Sequence, residues 1–378
     1  MNPATANRVP VTVVTGFLGS GKTTLLNRVL CDPRYARTLV IVNEYGEIGL
    51  DHLLLAQGGA AAPGPADPRE ILLLASGCMC CSARGAFAET LERALTRRAE
   101  GAAPLFDRII IETSGLSDPA PVLQSIAADG QVAALADLDG VVTLVDAVNG
   151  AAALDAHPQA VRQVAVADAL LVSKTDLALS DAVASLEARL RAINPGAPCS
   201  DVRHGDIAPE RLFGLGAGPR AQAGTALRWL APEAFPAAPG LAGIGGGEPS
   251  RHGGPAVITF ALFREAPATR SGLVLWLDQL GAHRGRDLLR MKGLVDVEGE
   301  PMLVQAVQQV IHEPVALPAW PDADRRSRFV FITRGLTREM IEPTLGALGY
   351  ATPARNAGRM IDPAQYAKFL QAAKRFRE

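Results

Sequence analysis

The sequence predicts a chain in two parts. The first is an α/β domain of the phosphate-loop NTPase kind, built on a mostly parallel sheet. The second is a smaller C-terminal α+β domain of ferredoxin-like character. Three observations predict this. Short, nearly all-apolar runs alternate with amphipathic helical patterns over roughly the first 215 of 378 residues. A glycine-rich phosphate-loop pattern stands between the first such run and the first helix. A Gly/Pro-rich break then separates this part from a stretch of different rhythm.

The predicted strands of the first part are residues 11–15, 39–43, 71–75, 108–112, 141–145 and 169–173. They are nearly all apolar rather than alternating, as expected for strands of a parallel sheet buried on both faces. Between them, Phe87, Leu91 and Leu95 share one helical face, and Val183, Leu186, Leu190 and Ile193 share another. Strand–helix alternation of this kind defines an α/β domain. From residue 236 to residue 255, eleven of twenty residues are Gly or Pro, which neither a helix nor a central strand tolerates. The expected organisation is therefore a nucleotide domain over 1–215, a Gly/Pro/Ala-rich linker over 216–255 and an α+β domain over 256–378. In the last, strand-like runs at 257–263, 289–297, 302–311 and 329–333 and helix-like runs at 271–280 and 338–348 suggest the order β, α, β, β, α. A terminal helix is expected over 362–375.

The composition excludes several classes. Hydrophobic residues make up 48% of the chain and charged ones 20%, enough apolar material for a packed core. The formal net charge of −2 gives no global field to recruit nucleic acid or an anionic membrane. The N-terminal residues lack a basic segment followed by an apolar one, and no apolar run is long enough to cross a bilayer. A cytoplasmic protein is expected. Of five cysteines, Cys78, Cys80 and Cys81 fall within four residues, a spacing suited to metal or redox chemistry rather than to a disulfide framework. Cys31 and Cys199 are isolated and read as small core residues.

Residues 16–23, Gly-Phe-Leu-Gly-Ser-Gly-Lys-Thr, fit G-x-x-x-x-G-K-[ST]. Around Gly16, Gly19, Ser20 and Gly21 the backbone N–H groups can converge on phosphate oxygens. Lys22 can reach the β- and γ-phosphates, and the Thr23 hydroxyl can ligate Mg²⁺. Thr24 continues into a helix whose N-terminus favours anions. The strand at 108–112 ends in Glu112, an acidic residue able to hold Mg²⁺ directly or through water. Gly115, three residues on, lets a backbone N–H approach the γ-phosphate. The strand at 169–173 ends in Ser-Lys-Thr-Asp, close to the N-K-x-D guanine signature. Asp176 would accept from guanine N1 and the 2-amino group, Lys174 would lie over the base, and Ser173 stands where Asn is usual.

Thiolates at Cys78, Cys80 and Cys81 suit Zn²⁺, Co²⁺, Cu⁺ and similar ions, and an incomplete coordination sphere serves transfer better than storage. The competing reading makes them small hydrophobes at a strand end. The polar segment over 43–52 follows the second strand, and its Glu44, Glu47 and Asp51 face three options: Mg²⁺, a transferred metal or water.

Taken together, TGFLGSGKTTLLN at 15–27, NEYGEIGLD at 43–51, GCMCC at 77–81, ETSGLSDP at 112–119 and SKTD at 173–176 resemble the CobW-type P-loop GTPases. RMKGLVDVEG at 290–299 and Trp320 resemble that family's C-terminal domain. The resemblance implies a GTP-hydrolysing metallochaperone that binds Mg²⁺ and a transition metal, zinc before cobalt, and hands the metal to a client metalloprotein. It implies Lys22, Thr23 and Glu112 at phosphate and Mg²⁺, Lys174 and Asp176 at guanine, and the cysteine motif at the carried metal. The His-rich tract of many relatives is missing from the linker, where only His252 stands. The alternatives are a regulatory GTPase switch with structural cysteines and a partner-binding C-terminal domain, and a small-molecule kinase. The kinase needs an acceptor lid and a base for the acceptor hydroxyl, and the Ser-Lys-Thr-Asp element at 173–176 and the separate C-terminal domain speak against it.

Overall fold

The computed structural model of the chain describes residues 8–43, 71–73, 83–102, 106–216 and 256–351. By internal contacts the chain divides into two compact units, 1–225 and 226–378, and each is described by itself.

The first unit holds a seven-stranded sheet. In chain order its strands are β1 (Val9–Gly16), β2 (Thr38–Asn43), β3 (Ile71–Leu73), β4 (Arg108–Thr113), β5 (Ala136–Asp146), β6 (Ala169–Ser173) and β7 (Cys199–Val202). Across the sheet they run β3-β2-β4-β1-β5-β6-β7, every pair parallel. The apolar runs become strands because both faces are covered. Leu144 and Leu171 join Leu25, Leu26 and Val29 of α1 (Lys22–Cys31) in one core cluster. Their neighbours Val145, Leu170 and Val172 point the opposite way. They meet Leu154 of α5 (Gly150–Ala156), Val164 of α6 (Pro158–Val166), and Leu186 and Leu190 of α7 (Ser180–Ile193). Phe87, Leu91 and Leu95 are buried on α2 (Ala83–Ala99), as their spacing predicts. Two short helices, α3 (Ala120–Ala128) and α4 (Gly130–Leu135), lead into β5.

Each of the six expected strands is present. The edge strand β7 is an addition. Its four residues, Cys-Ser-Asp-Val, carry no apolar run to announce it. Cys199 is half-buried in it, whereas Cys31 is exposed at the end of α1, contrary to its reading as a core residue. The apolar spacing of α1 is met by Leu25, Leu26 and Val29, so Cys31 falls off the buried face. Because every strand is parallel, all their C-terminal ends lie along one edge of the sheet, where ligands collect in open α/β folds.

The second unit is an antiparallel sheet with helices. Its main strands are β8 (Val257–Arg264), β9 (Leu288–Val297), β10 (Glu300–Val307) and β13 (Ser327–Arg334), ordered β10-β9-β13-β8. The short β11 (Val310–Ile311) and β12 (Val315–Ala316) both pair with β10. β13 is antiparallel to both β8 and β9 and lies between them. β8, α8 (Arg270–Arg284) and β9 thus form the split β-α-β unit of ferredoxin-like layers. On α8, Trp276 is fully buried against Phe329 and Phe331 of β13, and its Nε1 donates to Thr344 Oγ1.

Two local expectations are corrected. The run 302–311 is not one strand: the backbone turns at Gln308, where φ is +53°, and folds β11 back on β10. The run 338–348 is one α-helical turn, α9 (Arg338–Ile341), followed by a 3₁₀ segment over Glu342–Gly349. Pro343 has no N–H to continue the α-helical ladder. Apart from Gly216, the expected linker lies outside the described residues, as does the expected terminal helix.

Candidate nucleotide site

β1 runs straight into the phosphate loop, and the loop into α1. The loop's conformation is one that only glycine accepts readily: Gly21 has φ +93°, and a Cβ on Gly16 would meet the Leu144 carbonyl oxygen. Lys22 is the first residue of α1 and is buried. Its ammonium donates to the carbonyl oxygens of Gly16 (2.9 Å) and Phe17 (3.3 Å), so a cation is already held inside the loop. Thr23 is half-buried and Thr24 exposed beside it. Ser20 is buried, and Gly19 is exposed at the tip.

β4 lies next to β1, with Glu112 in register with Val14. Glu112 is only 3% exposed at the end of its strand. One residue further along, Thr113 Oγ1 donates to Thr15 Oγ1 at 2.7 Å, tying the two strand ends together. This places a buried carboxylate on the strand beside the loop that carries Lys22 and Thr23. The oxygen donors suit a hard cation such as Mg²⁺.

Ser173, the departure from Asn, has a structural role. Its hydroxyl donates to the Ser20 carbonyl at 2.7 Å and contacts the Val145 carbonyl at 3.4 Å. The end of β6 is thereby tied to the phosphate loop. Lys174 follows in the left-handed region, φ +58°, and its ammonium pairs with Asp146 Oδ2 at 2.8 Å. Asp176 is exposed in the single 3₁₀ turn that follows. Gly115 packs under the loop tip, where an added Cβ would lie 2.8 Å from Leu18 N. Glu44 and Cys78, Cys80 and Cys81 lie outside the described residues. Among the described residues no cluster of three or more His, Cys, Asp or Glu side chains could hold a metal.

Two residues at this edge carry no sequence signal. Asp146 ends β5, buried, and accepts from the backbone N–H of Val148 and Asn149 and from the Asn149 amide. Burial alone would raise its pKa. The hydrogen bonds from Lys174, from the Asn149 amide and from the two backbone groups outweigh that, and hold the carboxyl below its ordinary value. Folding therefore favours the ionised form. Asp146 adds stability in full above the ordinary carboxylate pKa of about 3.9, and that stability is lost as pH falls through the depressed folded value. Asp146→Asn is expected to cost about 1–3 kcal/mol at pH 7, and the wild-type advantage to shrink below about pH 4. Thermal melts of both proteins at pH 7 and pH 3 check this; an equal difference at both overturns it. The other residue, Gln163, is fully buried on α6. A cavity of ≈ 340 Å³ lies between the loop, the end of β5, α5 and α6, and Phe17, Lys174, His157 and Gln163 are among its lining residues.

Residues 10–201 match the CobW/HypB/UreG nucleotide-binding domain, and residues 257–348 match the cobalamin synthesis protein cobW C-terminal domain. The chain belongs to the CobW/HypB/UreG family. It is 30% identical over 344 residues to the zinc chaperone YjiA of Escherichia coli, spanning 90% of this chain and 99% of that one. It is 31% identical over 335 residues to the zinc chaperone CobW of a Sinorhizobium species, spanning 81% and 88%. Among solved structures it is similar to a Zn(II)-bound YjiA GTPase triple mutant in which a glutamate and two cysteines are replaced by alanine. The TM-score is 0.63 at 26% identity, over 91% of this chain and 99% of that one. As a member of this CobW-type family, with its phosphate loop complete, the chain is a GTPase. No described helix is long and apolar enough to cross a membrane.

Proposed function

We propose that this CobW-type GTPase is a metallochaperone that binds a transition metal, zinc first, through Cys78, Cys80 and Cys81. It would release the metal to a client metalloprotein in step with GTP hydrolysis. The observation that carries the reading is the common edge. The phosphate loop, the buried Glu112 and the Ser173 tether stand at C-terminal strand ends of one parallel sheet, as does the end of β3, which the cysteine motif follows in sequence. The zinc chaperones to which the chain is similar support the choice of metal.

In this reading the backbone N–H groups of residues 16–23 cradle the phosphates, and Lys22 turns from the loop carbonyls to the β- and γ-phosphates. Thr23 and Glu112 would hold Mg²⁺, which when bound neutralises phosphate charge. Glu44 stands next in chain order after β2 as a further oxygen donor. Lys174 and Asp176 would read guanine, with Asp176 exposed on its 3₁₀ turn. Asp176→Asn is then expected to weaken GTP binding at least about tenfold, because charge-assisted hydrogen bonds of about 1.5–3 kcal/mol are lost. The same variant should gain xanthosine triphosphate binding. Competition binding with GTP, XTP and ATP checks this, and wild-type protein that binds ATP as tightly as GTP overturns the base-reading role.

The testing experiment is a zinc titration of the protein with GDP, with a non-hydrolysable GTP analogue and without nucleotide. Tighter zinc binding with the analogue supports the chaperone. Zinc affinity independent of nucleotide favours a regulatory switch whose cysteines are structural.

A further inference from the structure

The loop over residues 114–117 is held from two sides. On one side Gly115 packs against Leu18 at the tip of the phosphate loop, with no room for a side chain between them. On the other stands Gln163. Its Nε2 donates to the Gly115 carbonyl at 3.2 Å and to the Ser117 carbonyl at 3.1 Å. Two carbonyls facing one terminal atom identify that atom as the amide nitrogen, since an oxygen there would face two acceptors. Gln163 is fully buried, so no solvent competes for this donor. Its own backbone is fixed as well: Thr143 Oγ1 of β5 donates to the Gln163 carbonyl at 2.7 Å. The preceding residue, Arg162, pairs with Asp118 at 3.3 Å. Two adjacent residues of α6 therefore grip the loop on its far side, and the grip is braced on the central sheet.

We propose that Gln163 is a positioning residue for GTP: it holds the loop so that the Gly115 N–H is presented to the γ-phosphate before nucleotide arrives. The proposal rests on the reading of Gly115 as the γ-phosphate contact. The physical consequence is a selective one. The α- and β-phosphates are served by the phosphate loop, with which Gln163 shares no hydrogen bond among the described residues. The γ-phosphate is served in part by a loop whose two carbonyls Gln163 restrains. Without the amide, the two carbonyls are left unpaired in a buried site and the loop leaves its GTP-ready position. The ordering cost then falls on GTP binding and on the transition state, but not on GDP binding.

The test uses the full chain with Gln163→Met, which keeps side-chain length and removes the donors, beside Gln163→Ala, which removes both. Affinities for GDP and a non-hydrolysable GTP analogue are measured with kcat and KM for hydrolysis. The Met variant, folded by its thermal melt, is expected to bind the analogue on the order of tenfold more weakly, with GDP affinity within about twofold of wild type and a reduced kcat. Equal losses for GDP and analogue in that variant, or wild-type affinity for both, would overturn the positioning role. If wild-type protein itself makes no distinction between GDP and the analogue, the γ-phosphate reading of Gly115 fails and the proposal with it. If wild type distinguishes them and the Met variant does so equally, only the role of Gln163 falls.

Discussion

Lys22→Ala is expected to reduce GTP hydrolysis by about 10²–10³-fold or more, the loss typical of removing one preorganised charge-stabilising donor from a transition state. The geometry makes the effect larger than the loss of one contact. In the folded chain the Lys22 ammonium is buried and bridges the Gly16 and Phe17 carbonyls. The alanine variant loses the cation that would meet the γ-phosphate and also the group that gathers the loop's own oxygens. No described basic side chain substitutes, because Lys174, the other lysine at this edge, is committed to Asp146. Nucleotide affinity should fall as well, and by more for GTP than for GDP. Lys22→Met, which keeps the aliphatic stem, separates charge from packing: if it hydrolyses GTP like wild type, the assignment of the phosphate site is wrong.

The second large effect concerns the proposed metal site. Cys80→Ser combined with Cys81→Ser is expected to abolish tight zinc binding while leaving GTP binding in metal-free buffer unchanged, since hydroxyls are poor ligands for soft and borderline ions. In wild-type protein the GTP analogue should tighten zinc binding by some 5- to 150-fold, a coupling of about 1–3 kcal/mol, and zinc must tighten analogue binding by the same factor. The structural basis would be the shared sheet edge. The chain leaves β2 after Asn43 beside β4 and its Glu112, and leaves β3 after Leu73 one strand further out, beside β2. Isothermal titration in both orders measures the two factors. The YjiA triple mutant that lacks a glutamate and two cysteines yet is Zn(II)-bound makes the control specific. If the double cysteine variant of this chain keeps zinc at wild-type affinity and nucleotide coupling, the cysteine motif is not the delivery site.

The phosphate site was legible in the sequence because its chemistry is local. Eight consecutive residues carry the loop, and the strand and helix on either side are apolar runs of unmistakable period. The parallel sheet was legible for a related reason: strands buried on both faces have few polar positions to blur them. What escaped depends on partners distant in sequence. Ser173 reads as a weakened guanine motif until its hydroxyl is seen on the Ser20 carbonyl, 153 residues away. Asp146 and Gln163 sit in apolar contexts with no motif, and their partners come from separate segments. The edge strand β7 packs only Val202 and the half-buried Cys199 against the cores, so its four residues show no apolar run. At the other extreme, Pro343 is a strictly local signal, and it is what turns the expected last helix into a 3₁₀ segment.

The position of β1 in the sheet has a consequence for synthesis on the ribosome. β1 carries the phosphate loop, and its two neighbours are β4 and β5. Those partners end at Thr113 and Asp146, so the strand emerges long before either exists. At roughly 5–20 residues per second, the interval between completing Gly16 and completing Asp146 is roughly 7 to 26 seconds. Until β4 is complete at Thr113 this strand of mostly apolar residues, Val9–Gly16, has neither edge paired within the sheet, and its β5 edge stays open through the whole interval. The segment that defines this GTPase is thus made before both of its partners and, on its β5 side, waits for one about 130 residues downstream. A nascent chain in this state presents the kind of unpaired apolar strand that general chaperones shield.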